Sequence, residues 1–84
     1  MINTERIVRR LSRRNPDLTI EYAESDLESI VGSFTVQRVG YPPRIRQDVR
    51  HEWVVACETP DDYREMENAL MMRIEDLIDR HLPR

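Results

Sequence analysis

The sequence predicts an α+β fold in the order α-β-β-β-α: a three-stranded antiparallel meander with two helices packed on one face. Three observations lead there. Apolar residues recur at helical spacing near both ends of the chain, the stretches between alternate apolar and polar with period two, and proline and glycine punctuate them. A lone sheet cannot bury its apolar side, so both helices are expected to cover the same face. With 84 residues there is room for one core, and 1–84 reads as a single domain.

The first helix is expected over Thr4–Arg14. Asn3 or Thr4 can cap it and Glu5 suits its positive end. Ile7, Val8 and Leu11 share one side; Arg6, Arg9, Arg10, Arg13 and Arg14 cover the rest. Asn15-Pro16 stops it, because the residue before proline is pushed out of the helical region. Leu18, Ile20 and Tyr22 then alternate with Thr19 and Glu21, a half-buried strand. Ile30, Phe34 and Val36 mark the second strand, with Gly32 as a candidate bulge. Gly40-Tyr41-Pro42-Pro43 breaks that run.

From Arg44 on, Ile45, Val49, Trp53, Val55 and Cys57 fall on one face, and Arg44, Arg46, Asp48, Arg50 and Glu52 on the other. This predicts a third strand. A straight strand over Arg44–Glu58 would span about 50 Å, too long for so small a domain. The first half is therefore expected as a bent or projecting hairpin arm, and Glu52–Glu58 as sheet, with Trp53 buried against Leu70 or Ile74. The last helix begins with Thr59 as cap, Pro60 at its first position and Asp61-Asp62 at its positive end. Tyr63, Met66, Leu70, Ile74, Leu77 and Ile78 form its apolar stripe.

Composition bounds the function. Charged residues make up 35% of the chain with a net charge of -3, which excludes no partner class. All thirteen basic residues are arginine. GC-rich coding explains that bias more simply than selection for bidentate guanidinium contacts, since lysine is missing even where nothing special is expected. The single cysteine allows no internal disulfide and no cysteine-based zinc site. No apolar run reaches the ~18 residues of a membrane span. The first sixteen residues lack the apolar core of a secretory signal, so a cytoplasmic location is the default expectation.

No residue cluster carries a recognisable chemistry. Cys57, in an apolar strand phase beside a carboxylate, reads as a core thiol. His51 and Glu52 would point to opposite faces, with His51 beside Trp53 on the inner one. His81 suits the negative end of the last helix. Glu75 and Asp79 share a helix face, with His81 as a third candidate ligand, but no further metal ligand is evident. Two glycines leave no phosphate-cradling loop. No cofactor, metal or enzymatic activity is expected.

Met71 and Met72 widen the apolar arc of the last helix. They either fill the gap between helices or meet a second copy, which would make the protein a homodimer. The arginines are the other feature. Met1–Pro16 carries a net charge of +4 and Arg38–Arg50 one of +3, while Asp17–Glu28 and Glu52–Arg84 carry -5 each. Arg6, Arg9, Arg10 and Arg13 of the first helix, and Arg44, Arg46 and Arg50 with Tyr41 in the hairpin, are the candidate partner-binding residues. They suit an acidic protein surface, or phosphates if the two segments lie together.

The element order resembles that of double-stranded RNA-binding domains. That resemblance implies cations at the start of the last helix, where this chain has Thr59-Pro60-Asp61-Asp62. No residue of the family's motif carries over, and fold order does not confer function. The leading expectation is a small non-catalytic protein-binding module, an accessory or inhibitory factor of a phage or other mobile element. The alternatives are a nucleic-acid-binding protein and a virion assembly (head-tail) component.

Overall fold

A computed structural model describes residues 1–83. The elements run α1 (Thr4–Arg14), β1 (Leu18–Glu24), β2 (Ile30–Arg38), β3 (Arg44–Arg50), α2 (His51–Val55) and α3 (Pro60–His81). The strands form one antiparallel sheet in the order β1-β2-β3. This is the expected α+β meander with one short helix added.

Local chemistry starts and stops the helices as the sequence suggests. The Asn3 side chain caps α1 by accepting from the Arg6 backbone N–H at 3.0 Å. Asn15 ends the helix, donating to the Leu11 carbonyl from its backbone at 2.9 Å and from its side chain at 3.0 Å. In α3 a capping box closes the start. Thr59 Oγ1 accepts from Asp62 N–H at 3.2 Å, and Asp62 Oδ2 accepts from Thr59 N–H at 3.0 Å and Glu58 N–H at 2.9 Å. These backbone donors hold the Asp62 carboxyl below the usual carboxylate range.

The meander has two singular points. Between Ile30 and Gly32 the register with β3 shifts, a bulge. Gly32 is needed there because a Cβ would run into the Tyr22 ring and the Ala23 carbonyl. At the other end, Tyr41 N–H donates to the Arg38 carbonyl at 3.0 Å across a turn whose third residue, Gly40, has φ 84°.

The core lies between the sheet and the helices. Ile7 and Leu11 of α1 meet Phe34 and Val36 of β2, with Ile45 and Val49 of β3 and Leu70, Ile74 and Ile78 of α3. Tyr22 and Phe34, directly paired across β1 and β2, hold their rings 4.8 Å apart at a 54° tilt. α1 packs on β1 and α3; α3 packs on β3. Register puts Thr19, Glu21, Ala23, Ser33, Thr35, Gln37, Arg44, Arg46 and Asp48 on the opposite, open face.

The third strand departs from expectation. Its first half, Arg44–Arg50, is the part that pairs in the sheet and is no projecting arm; its second half is helical. The reason is the end of the partner strand. His51 N–H donates to the Ser29 carbonyl at 2.9 Å, and past that point β2 offers no further partner. The backbone satisfies itself locally instead, with Ala56 N–H on the Glu52 carbonyl at 3.2 Å and Cys57 N–H on the Val54 carbonyl at 3.1 Å. Trp53, Val55 and Cys57 therefore do not share an inner strand face. Trp53 is half-buried at the edge of the core, with the Arg73 guanidinium 5.1 Å from its ring centroid. Val55 and His51 are exposed. Cys57 is half-buried in the turn before α3, its sulfur 3.4 Å from the Trp53 carbonyl and 3.7 Å from that of Asp62.

Candidate interaction site

The two arginine-bearing segments lie on different sides of the molecule. α1 packs on the inner side of the sheet beside β1. Arg44, Arg46 and Arg50 project from the outer side of β3, at the other edge, alternating with buried Ile45 and Val49. A basic patch made from both segments would need them on one face, and the sheet separates them.

The β3 row is interrupted by carboxylates. Asp48, in the same row, accepts from Ser33 Oγ at 2.6 Å and from Arg46 Nε at 2.8 Å. The Ser33 hydroxyl first, and Arg46 second, hold its carboxyl below the usual range. Arg50 Nε donates to Glu52 Oε1 at 2.7 Å. Each acid thus takes only the Nε of its arginine and leaves the terminal fork outward. Arg44 has no carboxylate partner among the described residues. Tyr41 is exposed in the β2–β3 turn, with the Arg38 guanidinium 5.5 Å from its ring centroid.

α1 carries the denser cationic face. At about 100° per residue, Arg6, Arg9, Arg10, Arg13 and Arg14 fall within an arc of roughly 140° beside the Ile7–Leu11 stripe. The first and last of the five along the chain are tied to α3: Arg6 Nη1 lies 3.2 Å from Glu67 Oε1, and Arg14 Nη1 2.7 Å from Glu75 Oε1. Arg9, Arg10 and Arg13 are exposed and have no carboxylate partner among the described residues.

Of the expected copy-to-copy contact, Met71 is 7% exposed and belongs to the core, whereas Met72 is 74% exposed. Glu75, one of the two carboxylates considered for a metal, is engaged by Arg14. Among the described residues no group of three or more His, Cys, Asp or Glu side chains could hold a metal ion, and no helix is long and apolar enough to cross a membrane.

Two important residues escaped the sequence reading. Glu67, buried in α3, accepts from Asn3 N–H as well as from Arg6; its partners lie more than sixty positions away, so no local pattern reveals it. Arg38 bonds Asp17 at 3.2 Å and the Leu82 and Pro83 carbonyls at 3.1 and 2.7 Å. Here a signal existed, since Arg38 is in strand phase with Phe34 and Val36 and had to point inward.

No family model, curated protein or solved structure matches the chain.

Proposed function

We propose that the chain is a small non-catalytic binding module whose α1 arginine stripe contacts an acidic surface of a protein partner. The observation that carries this reading is the set Arg9, Arg10 and Arg13: three exposed guanidinium groups without a carboxylate partner among the described residues, in a chain that has sixteen acidic residues and a net charge of -3. Ile7 and Leu11, both fully buried, anchor the helix beneath them, so the stripe is presented on a rigid support. Little conformational freedom is then lost on binding. Arg44 and the outward forks of Arg46 and Arg50 supply a second contact surface on the far side. An accessory, inhibitory or virion-assembly role suits such a module.

Nucleic-acid binding fits less well. It gains from one continuous basic surface, and the sheet stands between the two here. The open sheet face also lacks the aromatic side chains on which unpaired bases stack.

The test is affinity capture from nuclease-treated lysate of the source cell, with wild type and Arg9→Glu/Arg13→Glu as baits and identification of what is retained. An acidic protein held by wild type and lost by the variant is the expected result. Retention found in a parallel capture from untreated lysate but absent after nuclease treatment, or a partner held equally by both baits, overturns the reading.

A further inference from the structure

Between α1 and α3 runs a groove of about 430 Å³ lined by Arg6, Arg10, Arg64, Glu67 and Asn68. Arg6 and Arg10 are one helical turn apart on α1, and Arg64 and Asn68 one turn apart on α3, so two turns of each helix line the groove. Glu67 is 5% exposed. Both its oxygens are engaged, Oε2 by the Asn3 backbone N–H at 3.2 Å and Oε1 by Arg6 Nη1 at 3.2 Å. Arg6 is thereby fixed through one terminal nitrogen, and its Nε and Nη2 remain for another acceptor. Neither Arg10 nor Arg64 has a carboxylate partner among the described residues.

Charge selects the ligand. Three guanidinium groups against one carboxylate leave an excess of two positive charges at the groove. A phosphate monoester carries about -1.5 to -2 at pH 7, whereas a carboxylate or a nucleic-acid phosphodiester carries one negative charge. Guanidinium forks match the geometry of phosphoryl oxygens, and the Asn68 amide adds a neutral donor at the rim. We infer that this groove binds a phosphoryl dianion, presented by a phosphorylated serine or threonine of the protein partner. The inference rests on the reading of α1 as the partner-contact face and gives that contact a chemical focus.

The experiment uses the purified 84-residue chain with inorganic phosphate, O-phosphoserine and a short thymidine oligonucleotide as probes, at constant ionic strength. Binding is followed by NMR at the Asn68 side-chain amide and the arginine Nε–H groups. Expected are saturable shifts confined to Asn68, Arg6, Arg10 and Arg64, and dissociation constants at least tenfold weaker in Arg10→Gln and in Arg64→Gln. Arg80→Gln, whose arginine pairs with Asp76 elsewhere on α3, leaves them unchanged. Affinity for O-phosphoserine rises several-fold from pH 5.5 to 7.5 as its phosphate loses the second proton near pH 6, while affinity for sulfate, a dianion throughout, stays flat. Absence of saturable shifts, shifts spread equally over Arg9 and Arg13, or no loss in the two groove variants overturns the site. Tighter binding of the oligonucleotide than of phosphoserine reassigns it to phosphodiesters. A chain that binds no phosphate removes the groove alone; the capture test with Arg9 and Arg13 variants judges the protein-contact reading separately.

Discussion

Adjacent positions on a helix differ by about 100°, and Met71 and Met72 show what that rotation does to two identical side chains. The first faces the sheet and the second faces water. Met71→Ala should cost about 2–3 kcal/mol, the lower part of the range for emptying a core site, and Met72→Ala no more than about 0.5 kcal/mol. Urea denaturation of the two variants measures both. Asp48 is a residue whose protonation bears on stability. Its folded pKa lies below the ordinary 3.8 because Ser33 and Arg46 donate to the carboxylate. The stability it contributes is therefore complete above the unfolded pKa and is lost as pH falls through the lower folded value. Asp48→Asn should flatten the fall of stability as the pH drops below about 4, measured by denaturant titration at each pH. A wild-type slope in the variant would mean that the Ser33 and Arg46 contacts do not form in solution.

The short helix α2 is the element in which local propensity and tertiary context disagree. Val54 and Val55 beside Trp53 read as strand, because β-branched and aromatic residues are enriched there. That preference depends on having a neighbouring strand to pair with, and β2 ends opposite Arg50. Val55→Ala distinguishes the two states: on an exposed helical site it should change stability by less than about 0.5 kcal/mol, whereas a valine facing the core would cost several times more. Thermal or urea unfolding decides. Elements whose signals are local were legible in the residues. Caps and periodicity place α1 and α3, alternation places β1 and Ile45–Val49, and Gly32 sits at the bulge. What escaped depends on distant partners: that the ladder between β2 and β3 stops at Arg50, and which acid Arg6 meets. The outward phase of the β3 arginines was readable, and alternation set Asp48 and Glu52 in the same row two residues from Arg46 and Arg50.

For the molecule as a whole, the two arginine faces have different consequences. β3 is an edge strand, and its charged row opposes pairing with another sheet, a common protection of open edges. The ion pairs Arg46–Asp48 and Arg50–Glu52 are solvent-exposed and contribute about 0–1 kcal/mol each. Replacing Arg44, Arg46 and Arg50 together by alanine should therefore shift the melting temperature by only a few degrees while raising the tendency to self-associate with concentration. Calorimetry and sedimentation velocity read the two effects. An unfolded variant would make the row part of the scaffold, and an association state unchanged from wild type would remove its protective role.

The latch between α1 and α3 also sets an order of events. Arg6–Glu67 and Arg14–Glu75 each join residues 61 positions apart, while strand pairs of the meander are as close as Gln37 and Arg44. Bringing together residues nearly nine times farther apart along a flexible chain costs roughly 2 kcal/mol more in closure entropy. The hairpins can thus close before α1 meets α3, and the Arg6–Glu67 and Arg14–Glu75 pairs are expected to form late. Weakening the latch by Glu67→Gln then acts chiefly on the rate at which the native protein opens, leaving the rate of its formation nearly untouched.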